Sequence, residues 1–434
     1  MRILFVFLTL LNTSFPAFAQ EPAALTTDGA WCWFSDPRAI YTKNGNIVTG
    51  WVTKSGDIVA ASLNVKTADI QQKTLYSKLE IDDHDNPAFL ELPDQQILTQ
   101  YTWHGGSKNG MGVIQHTKST PGDISSFSEP LVFKPQTPEL LEKFKRETYT
   151  YANPFILSSE SNKIYSFGRW VGFKPNVITS IDNGKTWSDP KVVITSKELN
   201  TNNRPYVKYF SDGKSKIHLI FTDGHPNAEP LNSVYYCYYE KGAFWRADDS
   251  KIAEMSQLPF HPSDASVIYK ATPETGKAWI FDIVINKKGQ PVVAYTRYPT
   301  NEKHQYYYAV FDGKKWNDHH IIDSGKWFPQ TPEDKKEREE NYSGGLTIDP
   351  LNPSIIYFSH EIDNVFEISK GETKDFGKTW KITPVTRNST LDNVRPVIPR
   401  YKKKSDKNVL LWMQNKKYVH YTDFDTSILW KVLE

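Results

Sequence analysis

The chain has 434 residues, with 52 lysines and arginines against 50 aspartates and glutamates, a formal charge of +2. A balance this close to zero excludes a strongly basic nucleic-acid binder and leaves room only for a local basic groove facing an anionic ligand. Two cysteines, Cys32 and Cys237, are too few to staple a fold of this length, so an apolar core must hold it together.

At the N-terminus Arg2 precedes an apolar run from Ile3 to Leu11, and Ala17-Phe18-Ala19 offers a small-x-small cleavage site before Gln20. Residues 1–19 are therefore expected to be a cleaved signal peptide, with residues 20–434 a single secreted or periplasmic domain. The run is too short to cross a bilayer, and no later segment is long and apolar enough. No cysteine follows the cleavage site, which argues against a lipid anchor. Losing Arg2 lowers the formal charge from +2 to +1.

Beyond the leader, strand-like segments such as Ile47–Val52, Ile217–Phe221 and Val292–Tyr295 recur between D-G, N-G and K-G turns, and long helical periodicities are lacking. The octapeptide Ser180-Ile181-Asp182-Asn183-Gly184-Lys185-Thr186-Trp187 has the form of an Asp-box, the hairpin between the third and fourth strands of a propeller blade. Asp182 can accept backbone N–H groups of the turn, Gly184 supplies a positive φ, and Trp187 packs between blades. A degenerate copy runs from Thr373 to Trp380, and weaker echoes end at Trp245 and Trp316, so the repeats end roughly 60 to 70 residues apart. The expected fold is all-β, a seven-bladed β-propeller of four-stranded blades beginning near Gly29, Asp83, Thr150, Arg204, Ala278, Tyr342 and Asp392. Polar-proline pairs at Asp36-Pro37, Asn86-Pro87, Asn153-Pro154 and Arg204-Pro205 suit the starts of inner strands, where no ladder donor is needed.

Cys32, between Trp31 and Trp33, reads as a small buried hydrophobe. Cys237 follows Asp223-Gly224-His225 on an adjacent strand or loop. Asp223, His225 and Cys237 are competent ligands for a structural zinc or other divalent metal, whereas ordinary burial or a disulfide is the competing reading. Several of the 13 tryptophans and 23 tyrosines would serve as sugar-stacking platforms, the rest as core.

The segments Asp82-Asp83-His84-Asp85-Asn86-Pro87-Ala88, Tyr101-Thr102-Trp103-His104-Gly105 and Tyr151-Ala152-Asn153-Pro154 continue into Phe167-Gly168-Arg169, Asn203-Arg204-Pro205-Tyr206 and Thr222-Asp223-Gly224-His225-Pro226. Together with Ala30-Trp31-Cys32-Trp33-Phe34 they make the chain resemble the seven-bladed ulvan lyases of polysaccharide lyase families 25 and 24. The histidines twenty residues apart, His84 and His104, point most narrowly to the lyases.

The resemblance implies β-elimination at a uronic acid of an anionic, sulfated polysaccharide. Such a reaction removes the C5 proton beside a carboxylate and protonates the leaving O4, so a base, an acid and a neutralising cation must flank the ring. Arg, His and Tyr can do this without a catalytic cofactor. By resemblance His84, His104, Tyr151 and Arg169 are the catalytic residues. Tyr151 or His84 would be the base and the other the acid, with Arg169 neutralising the carboxylate and depressing the Tyr151 pKa. Arg204, Tyr206, Tyr149 and His225 would bind substrate or support the cleft, Tyr149 also rivalling Tyr151 as catalytic tyrosine. A sialidase would need a three-arginine clamp and an Arg-Ile-Pro opening, for which Asp36-Pro37-Arg38-Ala39 is a poor substitute. A rhamnose–glucuronate glycosidase or lyase and a non-catalytic glycan-binding propeller are the alternative functions.

Overall fold

A computed structural model of the chain describes residues 21–104, 112–117, 122, 124–196, 204–300, 303–325 and 344–433. The expected signal peptide, and with it Gly105, Asn203 and Tyr342, lies outside the described residues. None of the described helices is long and apolar enough to cross a membrane.

Seven antiparallel sheets are arranged as propeller blades. Blades 1 to 3 run inner to outer through Ala39–Tyr41, Ile47–Val52, Ile58–Leu63 and Ile70–Tyr76; then Ala88–Glu91, Ile97–Tyr101, Val113–Thr117 and Leu131–Phe133; then Thr150–Leu157, Lys163–Arg169, Pro175–Ser180 and Lys191–Val192. Blade 4 departs from the four-strand rule: to Val207–Ser211, Ile217–Thr222, Val234–Glu240 and Ala243–Trp245 it adds Lys251–Glu254 and Ser266–Tyr269. Blade 5 comprises Lys277–Ile285, Pro291–Thr300, Lys303–Phe311 and Trp316–Gly325, and blade 6 Leu346–Ile348, Ile355–Ile362, Val365–Glu372 and Lys381–Pro384. Blade 7 takes Asp392–Val397, Asn408–His420 and Asp423–Leu433 from the C-terminus, and its outermost strand, Ala23–Thr26, from the N-terminus. That last pairing, Ala23 opposite Trp430, closes the ring by joining the two ends of the described chain in one blade.

Sequence dictates strand position through burial. A blade packs between two others, so middle strands such as Ile47–Val52 and Ile58–Leu63 are buried on both faces and read as apolar runs. The outer strand Ile70–Tyr76 exposes Gln71, Gln72 and Lys73.

The Asp-box forms the turn expected of it. Asp182 accepts Thr186 N at 2.9 Å and Thr186 Oγ1 at 2.6 Å, Gly184 N donates to Ser180 Oγ at 2.9 Å, and Gly184 has φ 81°. Trp187 leaves its own blade to stack on Phe133 and to donate Nε1–H to Gln115 Oε1 at 3.1 Å, both in blade 2. The copy at Thr373–Trp380 repeats the bonds through Asp375 and Thr379 and sends Trp380 against Tyr308 of blade 5. All four Trp-ended repeats lie between third and fourth strands, on the face opposite the site described below.

The Trp31-Cys32-Trp33-Phe34 segment is not a strand. It crosses the axis as a buried plug tied to most of the ring. Cys32 N donates to Asn86 Oδ1 (3.1 Å), Trp33 Nε1 to Ile280 O (3.2 Å), and Lys208 Nζ to Trp33 O, while Phe34 packs on Tyr151, Tyr206 and Trp279. Ion pairs fill the polar space around the plug. Arg395 donates to Asp83 at 2.6 Å and to Trp31 O at 2.5 Å, Lys208 and Arg38 hold Asp36, and Arg400 holds Asp282. Each of these buried charges therefore has a partner, as burial of a charge requires.

Candidate active site

One end of the propeller carries every loop that enters an inner strand or joins a second strand to a third. His84 sits in the short turn Asp83–Asp85 ahead of the inner strand of blade 2, and Asp82 caps that turn by accepting His84 N at 3.0 Å. His104 follows the second strand of the same blade, and its backbone N–H donates to Asp85 Oδ1 at 2.6 Å. The two imidazoles come together face to face, 4.0 Å between centroids and 8° between planes.

Asp82 joins them. Its Oδ1 lies 2.8 Å from His84 Nδ1 and its Oδ2 2.9 Å from His104 Nδ1. An ionised carboxylate only accepts, so both Nδ1 atoms must carry hydrogen. The Asp82 carboxyl is held below the usual carboxylate range, because His104 and His84 outweigh the burial that opposes its charge. Burial also opposes a charge on His84, but the Asp82 carboxylate hydrogen-bonded to it helps raise its pKa well above the ordinary imidazole value. Burial and the neighbouring His84 lower that of His104. The pair thus holds one proton more readily than two: His84 as imidazolium, His104 as neutral ring with a bare Nε2.

Tyr151 enters from blade 3. The ladder register slips between Thr150 and Asn153, and Tyr151 stands at φ 63°, a left-handed conformation that costs a non-glycine residue about 1 kcal/mol. This bulge aims its ring at the histidines, 5.9 Å from His84 and 6.2 Å from His104. Its hydroxyl is buried and has no hydrogen-bond partner among the described residues. Arg169, at the end of the adjacent strand, donates Nε–H to Thr150 Oγ1 at 3.0 Å and lays its guanidinium over Tyr206 (4.4 Å) and Tyr151 (5.0 Å). One of its terminal nitrogens is likewise buried without a partner among the described residues. Unpaired buried donors side by side are what a carboxylate-bearing ligand would satisfy.

The sequence expectation of a depressed Tyr151 pKa is corrected here. Burial raises it well above the ordinary phenol value, and His84 and Arg169 only partly offset this. At neutral pH Tyr151 is a proton donor.

Of the other expected site residues, Tyr206 and His225 stand beside the cluster. The Tyr206 ring lies 5.5 Å from His225, which also packs on Trp279 at 5.0 Å, and burial beside Arg169 and Arg204 keeps His225 neutral, its pKa lowered to about 3. Arg204 lies over Phe173 at 4.2 Å. Tyr149 does not join them: its hydroxyl binds Gln136 and Glu147, and its ring belongs to a separate core with Val113 and Trp170.

Asp223, His225 and Cys237 do not converge on a metal. Cys237 pairs across the ladder with Leu219, three residues before the strand end at Thr222, so it lies about 10 Å down the strand from the loop that carries the other two. There it is buried in an apolar core, and Asp223 instead accepts Ser233 N (2.8 Å) and the Tyr235 hydroxyl (2.9 Å). Both cysteines are free thiols, Cys32 in the axial plug and Cys237 in blade 4, so the disulfide reading fails as well. Among the described residues, donor atoms gather closely in Cys32–Asp83–His84 and Asp82–His84–His104, where each histidine already spends its Nδ1 on Asp82.

Sequence reasoning missed three contributors. Asp82 was legible only as one acid among several. Phe34 forms the floor under Tyr151 and Tyr206. Tyr421, from the blade 7 hairpin, sets its ring edge-on to both histidines, at 4.8 and 5.3 Å; no motif marks it.

A family model described as BNR repeat-containing family member matches residues 47–324. The chain belongs to that family. No curated protein matches this BNR-repeat chain. Among solved structures, the ulvan lyase of polysaccharide lyase family 25, bound to -[GlcA(1-4)Rha3S]-, superposes with a TM-score of 0.69 at 17% identity, over 94% of this chain and 95% of that one. The same family's ulvan lyase in a second structure gives 0.67 at 17% identity, over 94% and 95%. The polysaccharide lyase Uly1 gives 0.59 at 13% identity, over 95% and 99%. The BNR-repeat chain therefore shares the complete seven-bladed fold of these lyases.

Proposed function

We propose that the protein is a polysaccharide lyase that cleaves ulvan, a sulfated rhamnose–uronic acid polysaccharide, by β-elimination at the uronic acid. The reading rests above all on the stacked His84–His104 pair clamped by Asp82 beside the Tyr151 hydroxyl and one terminal nitrogen of Arg169, both buried without a partner among the described residues. The shared fold supports it, and so do Arg146, Arg169 and Arg204, which cluster around Phe173 at this end of a near-neutral chain.

Arg169 takes the uronate carboxylate and, with the His84 imidazolium, balances the charge that builds up as C5 loses its proton. His104 Nε2, a bare lone pair because Nδ1–H faces Asp82, accepts that proton. The electron pair forms the C4–C5 double bond, the C4–O4 bond breaks, and the Tyr151 O–H protonates O4; solvent returns the proton from His104 to Tyr151. The base is thus His104 rather than Tyr151 or His84, because His84 is charged and Tyr151 protonated at neutral pH.

The test is incubation with ulvan, followed by ultraviolet absorbance of the unsaturated uronate and mass analysis of the products. Elimination adds no water and hydrolysis adds one. Products one water heavier would replace the lyase with a glycosidase, and intact polymer that still binds would leave a glycan-binding propeller.

A further inference from the structure

Beside Arg169 lies a second cationic group that the elimination does not use. Arg146 and Arg204 come from different loops yet stack on one ring, Phe173, with guanidinium carbons 4.0 and 4.2 Å from its centroid; Arg169 adds a third at 5.3 Å. The Arg146 and Arg204 charges therefore lie no more than about 8 Å apart. Among the described residues, no ion pair involves any of the three. The acid next in sequence to Arg146, Glu147, turns instead to Lys134 and Tyr149, at 2.8 and 3.0 Å.

The arrangement is built rather than incidental. Phe173 stands at φ 56° after Gly172 at φ 72°, a strained turn that pushes an aromatic ring out between the arginines. Gly172 N donates to Arg146 O at 2.8 Å, locking the two loops together. Helix α1, Pro138–Phe144, anchors the Arg146 loop by burying Phe144 against Val171 and Val192. Burial and the mutual repulsion of these cations lower the pKa values of Arg146 and Arg204. Three like charges held on one ring are stabilised by an anion, and arginine forks match the oxygens of a tetrahedral oxyanion.

We infer that Arg146, Phe173 and Arg204 form a second anion subsite, which takes a sulfate ester on the sugar next to the uronate held by Arg169. This rests on the lyase reading for the identity of the neighbouring uronate, but not for the anion site itself. Sulfate fits better than another carboxylate because it presents three oxygens to two forks and keeps its charge at every working pH.

The experiment uses binding as well as turnover. Affinity for ulvan, for chemically desulfated ulvan and for carboxyl-reduced ulvan is measured by titration calorimetry on Tyr151→Phe, and again with Arg146→Ala or Arg204→Ala added. Arg146 is exposed, so its loss leaves the fold intact. The expected result is that Arg146→Ala weakens binding of sulfated polymer at least tenfold more than that of desulfated polymer, that Arg204→Ala acts in the same direction, and that Arg146→Lys restores part of the difference. Equal losses on sulfated and desulfated polymer, or none, would overturn the subsite. A loss of the Arg146 effect on carboxyl-reduced rather than desulfated polymer would overturn it too, by assigning these arginines to a second uronate. Unsaturated products are scored separately with the unsubstituted protein, so failure to cleave sinks the lyase reading while sulfate discrimination in binding still upholds the subsite.

Discussion

Replacing Asp82 with Asn tests the proton logic of the site. Asn offers one acceptor oxygen where Asp82 offers two, and its NH2 must face the other Nδ1. That ring is driven to the Nε2–H tautomer or loses its partner. Asp82 makes two charge-assisted bonds, at 2.8 and 2.9 Å, and bonds to a charged group contribute about 1.5–3 kcal/mol each. Losing one bond, and the negative charge that favours the His84 imidazolium, removes about 2–4 kcal/mol, so kcat falls about 30- to 1000-fold. KM changes little, because the carboxylate clamp at Arg169 is untouched. Stability carries the same signature with opposite pH slopes. The Asp82 pKa is depressed, so its contribution is complete above about pH 4 and lost as pH falls through the folded value. The His84 pKa is raised, so its contribution is complete below about pH 6.5 and lost as pH rises through the folded value. The melting-temperature penalty of Asp82→Asn should therefore be larger near about pH 6 than near about pH 10. Initial rates on ulvan across pH, with thermal melts at both pH values, provide the check. A variant with kcat within about threefold of the parent and an unmoved pH–rate profile would refute the shared-clamp argument.

Tyr151→Phe removes only the hydroxyl and should lower kcat by about 100-fold or more while polymer affinity stays within a few-fold, read by steady-state kinetics and calorimetry. Arg169→Lys keeps the charge but loses the fork and the stacking over Tyr206, so both KM and kcat should worsen by at least about tenfold on uronate-bearing substrate. Phe34→Ala opens a cavity beneath Tyr151, Tyr206 and Trp279 and should cost about 3–5 kcal/mol of stability in denaturant melts, activity falling in step. Cys237→Ser places a hydroxyl in an apolar core and should destabilise by about 1–3 kcal/mol, whereas chelator should leave the melting temperature of the parent unchanged; a chelator-sensitive melt would restore the metal reading.

The blades were legible because they repeat local chemistry: turn residues, apolar strands and, in blades 3 to 6, a tryptophan after the third strand. Expected starts at Thr150 and Asp392 match the inner strands themselves, and those at Arg204 and Ala278 fall within a few residues. The first start, Gly29, misses Ala39 because the intervening apolar residues are the axial plug, whose burial comes from most of the ring rather than from a partner strand. The closing strand Ala23–Thr26 pairs with residues some 400 positions away, and no local pattern announces such a contact. The metal reading failed for a related reason, since sequence proximity of loop and strand says nothing about how far down the ladder a side chain projects.

Tyr149 and Tyr151 show why the site was harder to read than the fold. Residues two apart on a regular strand share a face, so alternation alone makes them equivalent. The bulge breaks that parity: Tyr151 at φ 63° turns to the histidines while Tyr149 stays in the outer core. Blade 7 uses the same device, its register slipping after Val394 where Arg395 stands at φ 53° and reaches Asp83, the carboxylate beside His84. Two left-handed residues at this end of the axis are thus a tyrosine that faces the imidazoles and an arginine that fixes the turn carrying one of them. Such strain persists only where the surroundings over-determine it, and here the plug supplies that restraint, with Phe34 packed on Tyr151 and Trp31 O bound to Arg395. Loosening the plug should therefore disturb Tyr151 and Arg395 together, and with them the catalytic geometry, before it disturbs the outer strands.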